Sequence, residues 1–158
     1  MARAKKPPPS KHDEFVFRVR RPSTSYHFSL QHQRWIDDPY SEMLSLKFKA
    51  ECLYPERIKG READAYFSAD SALAASSKRR EKRPEEPIKA IGSVVFGKAR
   101  FDVGGFLPPD VIWRLGFAMA NGMITSMTAS GVWIKPSHAH LKSLGFHGED
   151  FDPIDYIG

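Results

Sequence analysis

Between Ser41 and Tyr54 the chain alternates: Leu44, Leu46, Phe48, Ala50, Cys52 and Tyr54 fall on one side, and Ser45, Lys47, Lys49 and Glu51 on the other. A repeat of two is the period of a strand. One apolar and one charged side require an antiparallel sheet with a single buried face. The lone cysteine, Cys52, lies on the apolar side, so it reads as a small core hydrophobe and forms no internal disulfide.

The same period recurs on both sides of this segment. Phe15, Phe17 and Val19 alternate with Val16, Arg18 and Arg20, up to the turn-prone Arg21-Pro22-Ser23-Thr24. Tyr26, Phe28 and Leu30 then make a second strand, and a hairpin is the simplest link between the two. A turn at 57–61 and a short strand at 63–69 complete an expected four-strand meander. Ile88 to Phe96 and Ala99 to Val103 read as another hairpin, with Gly104-Gly105 as a tight turn after it.

At Pro108-Pro109-Asp110 the period changes to that of a helix, with proline and a carboxylate suited to the first turn. Val111, Ile112, Leu115, Ala118 and Met119 share one face, and Gly122 suits a left-handed stop. Extended character returns from Ile124 to Ile134, with Met127, Ala129 and Trp133 opposite a wet side of Ser126, Thr128 and Ser130. A last strand is expected at 139–146, and part of the acidic tail from His147 should pack down. The fold class expected from this pattern is mainly β, an antiparallel β-sandwich or partly open barrel of about six to eight strands with one packed helix near 109–121.

A chain of 158 residues is one domain by size. Residues 1–13 read as a flexible basic arm and 14–158 as a single β-rich domain with a long exposed loop at 70–87. The net charge of +5 is uneven: residues 1–100 carry 21 basic and 13 acidic side chains, residues 101–158 carry 3 and 6. The basic beginning leads into prolines rather than an apolar stretch, and Val103 to Met127 is interrupted by Asp110, Arg114 and Asn121. The expectation is a soluble, cytoplasmic chain without a membrane span.

The loops and polar clusters carry the candidate sites. In Arg34-Trp35-Ile36-Asp37-Asp38-Pro39-Tyr40, Trp35 and Tyr40 flank two acids and an arginine, a mix that anchors protein interfaces, with Arg34, Trp35, Asp37, Asp38 and Tyr40 as contacts. A protein partner bound by a non-enzymatic domain is the leading expectation, and a second copy covering a strand edge is compatible with it. The alternative partner is nucleic acid, met by Lys5, Lys6 and Lys11 of the arm and by Lys78, Arg79, Arg80, Lys82 and Arg83, with Arg18, Arg20 and Arg21 joining them if they share a side of the fold.

A second alternative is a metal-dependent jelly-roll enzyme. His138 and His140 are two apart, so a strand puts both imidazoles on one face, but Leu141 to Gly145 supply no acid and place Lys142 nearby. No cofactor is implied. Asp102-Val103-Gly104-Gly105 precedes a helix as phosphate loops do, yet Pro108 and Pro109 remove two N–H donors and no Lys-Ser or Lys-Thr follows. The chain has no Gly-x-Ser-x-Gly elbow, and the adjacent acids Asp37-Asp38, Glu85-Glu86 and Glu149-Asp150 lie in polar stretches where carboxylates stay solvated.

Overall fold

The apolar side of the 44–54 alternation is the inside of a barrel. The computed structural model describes residues 12–30, 40–69, 90–152 and 155. The basic arm through Lys11, the Arg34 to Asp38 stretch and the run 78–83 all lie outside the described residues. The strands are β1 (His12–Leu30), β2 (Tyr40–Tyr54), β3 (Glu62–Ala69), β4 (Gly92–Phe96), β5 (Phe101–Leu107), β6 (Ser126–Lys135) and β7 (His138–His147). One 3-10 turn, Glu56–Ile58, links β2 to β3, and a helix α1, Pro109–Ala120, links β5 to β6.

The order around the barrel is β1-β2-β3-β5-β4-β7-β6, closed by pairing of β1 with β6. The architecture is thus a closed barrel, neither a sandwich nor partly open. Nor is it wholly antiparallel: β3 and β5 pair in parallel, Tyr66 beside Gly104 and Phe67 beside Gly105. The reason is topological. The chain leaves β3, re-enters as β4 one place beyond β5, and returns antiparallel to β4 into the gap between them.

The expected turn at 21–24 is instead part of β1, which runs on as one strand. Between Arg20 and Ser23 the register slips against β2, where Arg20 faces Lys49 and Ser23 faces Lys47. Three residues span what two span opposite, a β-bulge, with Arg21 in the left-handed region at φ 48. The extra residue reverses the strand's parity. Phe15 and Phe17 point inward before it, and Thr24 faces Leu46 after it. The odd-to-even switch that resembles two strands is one strand with a bulge.

Gly104-Gly105, expected as a turn, lies within β5. A Cβ on Gly104 would run into the backbone carbonyl of Tyr66, so the parallel neighbours approach more closely there than a side chain allows. Ser126 and Thr128 are buried rather than wet, because the end of β7 and the tail cover them: Thr128 Oγ1 and His147 Nε2 lie 2.8 Å apart, and Phe151 stacks on the His147 ring at 3.9 Å.

The core is aromatic. Phe17 stacks with Phe15 and meets Phe101, while Phe48 stacks on Phe67. At one end Trp133 packs on Phe15 and Phe96, its Nε1–H donating to Asp13 Oδ2 at 3.0 Å, with the Arg57 guanidinium 4.0 Å from its ring. Helix α1 lies toward the other end of β1 and buries Ile112, Gly116 and Met119; bare Gly116 meets Thr24 of β1. Gly122, at φ 71, takes the left-handed stop expected of it. Among the described residues no helix is long and apolar enough to cross a membrane.

Candidate functional site

The outer wall reads as transverse rows set by register. One row runs His140, Ser93, Gly104, Tyr66, Lys47 and Ser23 across β7, β4, β5, β3, β2 and β1. The next runs His138, Val95, Asp102, Asp64, Lys49 and Arg20. In the first row Ser93 and Gly104 carry almost no side chain while their neighbours carry large ones. The wall sinks there into a trough of about 670 Å³ between Tyr66 and Phe106 on one side and the two histidines on the other.

A second depression of about 400 Å³ adjoins it, lined by Arg21, Ser23, Lys47, Lys49 and Tyr66; Asp64 and Tyr66 line both. The charges are graded along this surface. Asp64 is bonded to Lys49 and Asp102 to Arg100, so both acids at the trough are offset by a base. The bond to Asp64 holds the Lys49 ammonium above its ordinary pKa. One strand further, Arg20 and Arg18 lie 2.6 and 3.6 Å from Glu51, and the Arg20 hydrogen bond holds that carboxyl below its ordinary range. Arg21 and Lys47 form no salt bridge with a described residue. The Lys47 ammonium lies 5.4 Å from the Tyr66 ring.

His138 and His140 do share a face, their rings 5.3 Å apart and edge to face. Desolvation, then His140 and Lys135, push the His138 pKa down, which favours its neutral form. Among the described residues no group of three His, Cys, Asp or Glu side chains is placed to hold a metal. Tyr40, expected in a loop, is the first residue of β2.

Cys52 is fully buried, and burial pushes its thiol up to about 12. A thiol so held carries almost no thiolate at neutral pH, so a disulfide-exchange reagent should label the native chain on the order of a hundredfold or more slower than the urea-unfolded chain. Equal rates would show that Cys52 is not held in the core.

A second surface lies on α1. Trp113 and Phe117 follow each other by one turn on its outer side, 52% and 68% exposed, and the Tyr26 ring of β1 sits 6.2 Å from Trp113. Among the described residues, β1 and β2 pair only with each other on the Tyr40 side of Ser45, so Tyr26 stands on a two-stranded ribbon extending from the barrel wall. The signal was present in the sequence: α1 is apolar beyond its inward stripe, and Trp113 and Phe117 are the excess. The trough was less legible. Alternation puts Tyr66 and Asp64 on a wet face, but joining Tyr66 to Gly104, Ser93 and His140 needs the strand order. Compared with protein families, curated proteins and solved structures, the chain matches none.

Proposed function

We propose that the chain is a non-enzymatic interaction domain that engages a protein partner through the outer face of α1. The observation that carries this reading is the exposed pair Trp113 and Phe117. A helix on a soluble scaffold ordinarily turns charged residues to water, whereas this one turns two aromatic rings, with Arg114 beside them and Tyr26 against Trp113. Trp, Tyr and Arg are the residues that most often anchor interfaces, because each removes a large area from water at little entropic cost or donates several hydrogen bonds. Tyr26 belongs to the ribbon that leads into residues 31–39, the stretch of Arg34, Trp35, Asp37 and Asp38, so both aromatic sets are carried on neighbouring lengths of chain.

The double variant Trp113→Ala, Phe117→Ala tests this. Both side chains are exposed and alanine favours helix, so stability should stay within about 1 kcal/mol of the parent. Each anchor contributes more than about 1 kcal/mol at a typical hot spot, so an identified partner should bind at least tenfold more weakly. Capture of the same proteins, in the same amounts, by parent and double variant would remove the reading. Self-association that the double variant abolishes would replace the partner by a second copy of the chain.

A further inference from the structure

The trough lies on the outer faces of β3, β5, β4 and β7, and its chemistry differs from that of α1. Two ring platforms stand on it: Tyr66, 41% exposed, and Phe106, 58% exposed, diagonal neighbours on β3 and β5. Strand spacing sets their backbones about 8 Å apart. Between and beside them Gly104 and Ser93 leave bare backbone as a floor, so a flat ring can lie against the wall. Opposite stand two imidazoles, whose nitrogens can donate or accept hydrogen bonds at a polar edge.

The adjoining depression is cationic. Lys47 sits against the Tyr66 ring, and Arg21 is brought beside it by the bulge, in a left-handed conformation that a non-glycine residue adopts only under strain. Bulges of this kind re-aim a side chain. The acids of the surface, Asp64 and Asp102, are already bonded to Lys49 and Arg100, which leaves the positive charge of Arg21 and Lys47 without a described counter-ion. Rings beside spare cations are complementary to bases beside phosphates.

We propose that this trough binds single-stranded nucleic acid, stacking bases on Tyr66 and Phe106 and setting phosphates against Arg21 and Lys47. The form of the site favours a strand over a free nucleotide. Mononucleotide pockets enclose most of their ligand, whereas this surface is an open track of two joined depressions with more than one ring platform. A duplex fits it poorly, because paired bases offer no faces to stack.

The test is fluorescence anisotropy of a short labelled oligothymidylate titrated with the full chain at low and moderate salt. The expected result is binding that weakens steeply with salt, falls about tenfold in Tyr66→Ala and again in Phe106→Ala, and loses about one to two units of salt slope in Lys47→Glu combined with Arg21→Glu. Lys47→Glu alone, which leaves the left-handed Arg21 in place, guards against a folding defect, and circular dichroism melts check every variant. Trp113→Ala with Phe117→Ala should leave this binding unchanged. The proposal is overturned by absence of binding at low salt, by binding that deletion of residues 1–11 abolishes while Tyr66→Ala leaves it intact, by equal affinity for a duplex of the same length, or by a labelled nucleoside monophosphate binding as tightly as the strand.

Discussion

Replacing Phe17 by alanine is expected to lower stability by about 4 kcal/mol, measured as the shift of a urea unfolding midpoint at constant slope. The side chain is fully buried on β1, stacked with Phe15 at 6.3 Å between ring centroids and tilted against Phe101 at 6.1 Å. Its backbone faces Cys52 of β2 on one side and Met127 of β6 on the other, so it sits beside the pairing that closes the barrel. Truncation removes the transfer free energy of a benzyl group and leaves a cavity walled by other rings, which are too rigid to collapse into it. Phe17→Leu keeps most of the volume and should cost less than half as much. A loss below about 1 kcal/mol for the alanine variant would show that the interior is not packed around this ring.

The legible part of this fold was the part written in local periodicity. The 46–52 alternation, the amphipathic stripe of Ile112, Leu115 and Met119, and the left-handed stop at Gly122 each depend on neighbours close in sequence, and each stands as expected, whereas Ser45, placed on the wet side, is buried. What could not be read depends on partners distant in sequence. Arg21-Pro22 has the composition of a turn, yet pairing with β2 on both sides carries the strand through it as a bulge. Gly104-Gly105 likewise has turn composition, and only the proximity of Tyr66 across a parallel pair explains why side chains are absent there. Thr128 alternates as a wet residue and is dry because His147 and Phe151, far along the chain, return over it. The candidate surfaces follow the same division. Trp113 and Phe117 could be counted as excess apolar residues on one helix, whereas the trough is a property of four strands whose order is not encoded in any one of them.

That order also locates the most sensitive glycine. Gly104→Ala is expected to destabilise the chain by about 3 kcal/mol, although it adds one methyl group and β propensity favours alanine over glycine. The added Cβ meets the Tyr66 carbonyl oxygen, a backbone atom that cannot swing aside without breaking the β3–β5 ladder. Relief requires the strands to separate. Because the barrel is closed, separation at this parallel pair is transmitted to β2 on one side and β4 on the other, so the strain cannot be released at an edge. Gly97→Ala is the matched control: it adds the same methyl in the β4–β5 turn, where nothing beyond its own chain neighbours lies within 4 Å of the new Cβ and φ is ordinary, so its effect should stay within about 0.5 kcal/mol. Comparing the two midpoints separates the cost of close strand approach from the general effect of replacing glycine, and similar values for both would show that β3 and β5 are not held this closely. A reading of the trough comes with the same pair. Gly104→Ala also raises its floor, so binding of a short oligothymidylate should fall in that variant under conditions where it remains folded, while Gly97→Ala retains it.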